Sequence, residues 1–288
     1  MDVAEIAVTA AKSYNVIMKK FLKTLWSILW PVVLYLLIAF VVEIIHSMVF
    51  VYKDYLTTGD FNMSEIMEKV TEQSLYSTGV VSIISCVIFV IIIIHDRKKH
   101  PKNTNKRRIR ITVAALMAAV GACLTENVIL SASGITQYDE AFNVINDIIT
   151  GSPVFTQVLV AVILGPLTEE LLFRGIIYSR VERNYGFWPG LIVSTLLFGA
   201  LHGNFSQFIY AALLGVLFTY AYHISGSLIL SVVMHMVANA ASLVMDAITV
   251  AAEDPYKAEI CLLVVGIGLL VCGMTVMVRK SRAELKKS

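Results

Sequence analysis

The chain is poor in charge. Only 15% of its 288 residues are Asp, Glu, Lys or Arg, against 57% hydrophobic, and the mean hydropathy is +0.76. That excludes an ordinary soluble domain of this size. Cysteine is scarce too. Cys86, Cys123, Cys261 and Cys272 are scattered through apolar stretches with no C-x-x-C pair, so buried reduced thiols are expected rather than disulfides or a thiolate metal site. No H-E-x-x-H occurs, which excludes the usual helix-borne zinc site. No internal repeat and no pair of matched broken helices marks a carrier. The first 22 residues hold acids and lysines but no clean apolar core followed by small residues, so no cleavable signal peptide is expected.

What is present is a series of apolar runs near 20 residues, the length a helix needs to cross a bilayer. The expected spans are about Leu25–Val51, Tyr76–Ile94, Ile111–Ala132, Val154–Tyr178, Phe187–Leu201, Phe205–Tyr222, Leu228–Met245 and Ile260–Val278. The fold class is therefore all-α, a polytopic membrane helical bundle of about eight transmembrane helices with both termini cytoplasmic. Residues 1–24 read as an amphipathic, basic lead-in, 25–153 as N-terminal transmembrane helices, 154–247 as the core that carries chemistry, and 248–288 as the last span with a basic tail. Residues 53–75 and 133–153 read as polar loops. Trp26 and Trp30 sit at an expected interface. With the termini inside, nineteen Lys/Arg fall on the cytoplasmic side, Lys53, Lys69 and Lys257 outside, and Arg174 within a span. The basic run Arg97-Lys98-Lys99-His100, continued by Lys106-Arg107-Arg108 and Arg110, then marks a cytoplasmic loop, not a nucleic-acid patch. The partners are the lipid bilayer and whatever the core acts on, with no nucleic acid.

The exceptions to apolarity are informative. Ionisable groups at bilayer depth cost several kcal/mol on the mildest scale and usually mark function. Glu169, Glu170 and Arg174 sit in the fourth span, His202 at the end of the fifth, and His235 and Asn239 in the seventh. Glu170 and Arg174 are four apart and can pair on one face. His235 and Asn239 share a face in the same way, while Glu169 is turned about 100° from Glu170 and is free for other work. At about 1.5 Å per residue, Glu169, His202 and Asn239 each lie roughly 21 Å from the cytoplasmic end of their helices, and His235 about 15 Å. A shared polar cavity is expected. Gly165-Pro166 is expected to kink the fourth helix, Phe198 to pack beside the site, and Gly199 and Gly203 to permit close helix approach around His202. Glu43 with His46, and Glu126 with Asn127, are expected to be interfacial or inter-helix polar contacts rather than sites.

Glu169-Glu170-Leu-Leu-Phe-Arg174-Gly175, Phe198-Gly-Ala-Leu-His202-Gly203 and His235-Met-Val-Ala-Asn239 resemble, in order and spacing, the three motifs of the CAAX prenyl protease and bacteriocin-processing (CPBP, or Abi) family of intramembrane proteases. The resemblance covers about residues 154–247. It implies peptide-bond hydrolysis, with Glu169 and His202 activating a water, His235 and Asn239 holding the oxyanion, and Glu170 with Arg174 bracing the site. It leaves two mechanisms open: zinc held by Glu169, His202 and His235 with a position for water, or a metal-free glutamate protease. It also implies a peptide substrate entering from the membrane or the cytosol. A bacterial plasma membrane is the expected location, and leader-peptide processing or immunity to an antimicrobial peptide the expected role. A transporter or proton relay and a non-catalytic immunity or scaffold protein remain as alternatives. Ser231 and His235 are four apart, but no G-x-S-G surrounds the serine.

Overall fold

The computed structural model describes residues 3–59, 62–101 and 110–286. They form ten helices: α1 (Val3–Thr58), α2 (Met63–Glu72), α3 (Ser74–Lys99), α4 (Thr112–Ser133), α5 (Glu140–Gly151), α6 (Val154–Tyr185), α7 (Phe187–Ala200), α8 (Phe205–Ser225), α9 (Leu228–Ala251) and α10 (Pro255–Leu285). A 3₁₀ turn, Ile135–Tyr138, precedes α5. Among the described residues there is no strand. Seven helices are long and apolar enough to span a membrane, as the all-α polytopic expectation required; the chain is an integral membrane protein. The eighth crossing is different. Helix α7 has 14 residues, about 21 Å of rise, which falls short of a hydrocarbon core about 30 Å thick.

Two expected loops are helical. Helix α1 carries Pro31 but runs on to Thr58, because neither Gly nor Pro follows until Gly59, where φ is +68°. Helix α2 then buries Ile66 and Val70, four apart, and pairs Glu65 with Lys69 at 2.7 Å on its polar face. That ion pair, with Asp54, raises the Lys69 ammonium above its ordinary range. Helix α5 starts where Asp139 accepts from the Phe142 N–H at 3.1 Å, an N-cap. The lead-in is part of α1 from Val3 onward. Of the basic loop, Lys106, Arg107 and Arg108 lie outside the described residues.

The two ends of the bundle differ chemically. At one end Lys20 donates to the Asn184 carbonyl at 2.9 Å. There Arg180 pairs with Asp96 at 2.6 Å and also donates to the Ser27 carbonyl, and Lys280 reaches the Arg110 carbonyl at 3.0 Å. At the other end Ser77 donates to Glu43 at 2.6 Å and Ser131 to Glu259 at 3.2 Å. The Glu43–Ser77 bond makes Glu43 a contact between α1 and α3. His46 lies 3.8 Å from Glu43, and its Nδ1 has no hydrogen-bond partner.

Helices α4 and α10 pack backbone to backbone. A Cβ on Gly121 would stand 2.3 Å from the Leu270 nitrogen, and one on Gly273 would stand 2.4 Å from the Ala114 carbonyl. Small residues give this closeness where lipid supplies no hydrophobic drive between helices. The main core joins α4, α8 and α9 through Ala118, Phe218 and Met234, all fully buried. A second core joins α1, α3, α6 and α7 through Val32, Phe89, Ile177 and Phe198. The polar site lies between these two cores.

Candidate active site

Helix α6 is not a regular α-helix. Gln157–Leu164 and Leu171–Tyr178 are π-helical, with α-helical Gly165–Glu170 between them. In a π register the carbonyl of residue 161 would accept from residue 166, which is Pro166 and has no N–H. The Ala161 carbonyl is taken instead by Asn239 Nδ2 of α9 at 2.8 Å. The expected disturbance at Gly165-Pro166 is therefore present, and its freed backbone group is met by a side chain the sequence had marked. Removing that donor in Asn239→Ala should cost about 1–2 kcal/mol, the penalty for an unpaired carbonyl; a lowered Tm in detergent would register it.

Glu170 and Arg174 are both fully buried and pair at 2.6 Å. Glu170 Oε1 also receives His235 Nδ1 at 3.2 Å, and its Oε2 receives the Ser231 hydroxyl. Arg174 donates further to the Gly215 carbonyl at 3.2 Å and lies 4.5 Å from the centre of the Phe198 ring. This set of contacts clamps α6, α7, α8 and α9 together. With Nδ1 donating to Glu170, His235 turns Nε2 toward Glu169, whose Oε2 is 3.6 Å away. His235 is nearly buried, whereas the Glu169 side chain keeps 29% of its exposure, as a group in contact with solvent must.

His202 follows the C-terminus of α7. Its Nδ1 donates to the Phe198 carbonyl, four residues back, at 2.8 Å, which leaves Nε2 as the acceptor. Phe198 stands edge-on to both imidazoles, 5.0 Å from His202 and 5.7 Å from His235 between centroids. It is a spacer between the two rings, more than the packing neighbour the sequence suggested. Gly199 does allow close approach, since a Cβ there would meet the Phe208 carbonyl at 2.9 Å. Gly203 does not; its place is surrounded by open space, and its φ of +76° shows that it serves the turn into α8.

Glu169, His202, His235 and Asn239 line one cavity of about 910 Å³. The expected shared cavity is thus present for these four, while Glu170 and Arg174 do not line it. Among the described residues no three His, Cys, Asp or Glu side chains are grouped to hold a metal ion. Ser231 and the Gly215 carbonyl are members of the brace that sequence reasoning did not assign. Ser231 shared the i, i+4 register with His235 and Asn239, a usable signal, whereas a backbone carbonyl carries none. Asn127 lines the cavity but donates within its own helix, to the Cys123 carbonyl at 2.8 Å.

A family model described as type II CAAX prenyl endopeptidase Rce1-like matches residues 151–241. That match and the peptidase relative below support the CPBP family. Over 184 residues, 61% of this chain and 75% of the relative, the chain is 24% identical to the Bacillus subtilis protein named "Putative membrane peptidase YdiL". It is 36% identical over 88 residues, 29% of the chain and 41% of the relative, to an Escherichia coli protein named "Uncharacterized 24.3 kDa protein". No solved structure matches it. The family match spans Glu169, Glu170, Arg174, His202, Ser231, His235 and Asn239.

One electrostatic feature holds this site from outside the spans. Asp139 Oδ2 accepts the Ser206 N–H at 2.7 Å while Oδ1 caps α5. One carboxylate thereby ties α5 to the start of α8, four residues from His202. The Ser206 amide, and then the Phe142 amide, hold the Asp139 carboxyl below the usual carboxylate range. A depressed folded pKa means that the tie is fully present above the ordinary aspartate value of about 3.9 and is lost as pH falls through the lower folded value. Amide exchange in α5 should accelerate across that window in the wild type. In Asp139→Asn it should be fast at all pH values, with no such step.

Proposed function

We propose that the chain is an intramembrane endopeptidase in which Glu169 and His202 activate a water against a peptide carbonyl. The observation that carries this reading is the meeting of Glu169, His202, His235 and Asn239 on one cavity inside the bundle, with Glu169 Oε2 3.6 Å from His235 Nε2. Glu169 takes the proton of the attacking water, helped by the acceptor Nε2 of His202. His235 in its doubly protonated form, with Nδ1–H on Glu170, donates Nε2–H to the oxyanion that develops on the carbonyl oxygen, and Asn239 Nδ2 donates its second N–H. Glu170, Ser231 and Arg174 fix the His235 ring and so act as positioning residues. Collapse of the tetrahedral intermediate passes the proton from Glu169 to the leaving amine.

The substrate class follows the same resemblance. The matching family model names a prenyl endopeptidase and the named relatives are bacterial. A bacterial plasma membrane lacks prenylated substrates in the usual case, which favours a leader or antimicrobial peptide. The test is cleavage, read by mass spectrometry, of leader-type and farnesylated peptides by the purified protein in proteoliposomes. Cleavage of leader-type peptides that disappears in Glu169→Ala supports the proposal. Solute movement without cleavage would replace it with a carrier, and a cellular phenotype indifferent to Glu169→Ala would replace it with a scaffold. Metal analysis and chelator sensitivity of the active preparation separate the zinc form, held by Glu169, His202 and His235, from the metal-free form.

A further inference from the structure

The helices that line the cavity do so mainly with the part remote from the basic end. Helix α3 contributes Ser74 and Thr78 from its start and ends at Arg97-Lys98-Lys99. Helix α4 contributes Asn127 and Ser131 from its end, far from Arg110. Helix α9 contributes its last two thirds, from His235 to Val250, and α10 only Glu259 of its first turns. Helix α5 closes the same end, with Phe142, Ile145 and Ile149 facing the cavity and no residue fully buried. The cavity therefore extends toward the face opposite the basic loops, with α5 over it. By the rule that Lys and Arg gather in the cytoplasm, that face is the extracytoplasmic one.

The walls carry charge of one sign. Glu169, Asp246 and Glu259 line the cavity, and among the described residues no Lys or Arg does. Glu126, next to the lining residue Asn127, keeps a buried Oε2 with no hydrogen-bond partner. A negatively charged peptide entering here would meet like charge in a partly desolvated channel, which is costly. A cationic one would replace lost hydration with these carboxylates.

We propose that the peptide reaches Glu169 through the extracytoplasmic mouth beneath α5, not from the cytosol, and that the cavity selects a positively charged segment. This deepens the endopeptidase reading and rests on it for the fate of the peptide, but not for its route. The test uses the full chain in sealed vesicles and a membrane-impermeant maleimide, scored against the parent protein. Asn146→Cys and Ser242→Cys should be labelled from the face opposite the one that labels Ser281→Cys. A short Leu/Lys peptide should protect Ser242→Cys, and a Leu/Glu peptide of equal length should not. Adding Asp246→Asn and Glu259→Gln should weaken the protection roughly five-fold, the scale of two partly exposed charge contacts. Labelling from the same face as Ser281→Cys would overturn the inference, as would labelling from neither face, which a purely lateral route through lipid gives. Equal protection by the acidic peptide would overturn the selection. Neither readout needs turnover. Failure to cleave any peptide would sink the hydrolase reading and leave the route standing, and the reverse can equally be seen.

Discussion

Glu169→Gln should lower kcat/KM for peptide cleavage by about 10³-fold or more while leaving the fold and Tm nearly unchanged, because the amide keeps the shape and loses the base. Glu169 is the one carboxylate of the pair that retains exposure to the cavity, and among the described residues its ion-pair contact is the 3.6 Å approach to His235. Among the described residues it ties no other part of the bundle together. His202→Ala should lose a similar factor, since its Nδ1 is spent on the Phe198 carbonyl and only Nε2 faces the chemistry. The double variant should be little worse than the poorer single one, as expected when two groups serve one water. Multiplying losses would mean that they act on separate steps or separate sites.

The second large effect is on stability. Arg174→Met should destabilise the protein by about 3–5 kcal/mol, the usual cost of leaving one partner of a buried pair unpaired. Arg174 and Glu170 are both at 0% exposure and 2.6 Å apart, so neither charge has water to fall back on. Much of the loss should return in the double variant Glu170→Leu with Arg174→Met, which buries no charge. Unfolding in detergent, followed by Tm, makes the comparison. The double variant should still be inactive, because the His235 ring loses the acceptor at 3.2 Å that fixes it. A double variant that was active, or no more stable than the single, would remove Glu170 and Arg174 from the role of brace.

These expectations were partly legible in the residues themselves. The seven long spans follow from apolar runs alone, and the mismatch between Glu169-Glu170-x-x-x-Arg174 and its surroundings is visible without coordinates. Helical arithmetic brought Glu169, His202, His235 and Asn239 to similar depth, and they share a cavity. What hydropathy could not convey was shape. Helices α2 and α5 are short and acidic, so they resemble loops, yet Ile66 and Val70 of α2 are buried and α5 roofs the cavity. Helix α7 has the composition of a span but about two thirds of the length. The π-helical turns of α6 leave no mark in composition beyond Pro166, and the partner that answers them, Asn239, is 78 residues away. Gly199 and Gly203 were alike in sequence and differ in cause, one excluded by the Phe208 carbonyl and the other held at positive φ. The Arg174 contact with the Gly215 carbonyl involves a backbone atom, about which residue identity says nothing.

The claim on which all of this depends is that one peptide carbonyl and one water meet between Glu169, His202, His235 and Asn239. An experimental structure of Glu169→Gln in lipid with an uncleaved peptide bound tests it most directly. The account predicts the scissile carbonyl oxygen within hydrogen-bond distance of His235 Nε2 and Asn239 Nδ2, with a water between residue 169 and His202 Nε2. A peptide bound elsewhere, or the two imidazoles and the acid turned to separate neighbours with no common point between them, would contradict it.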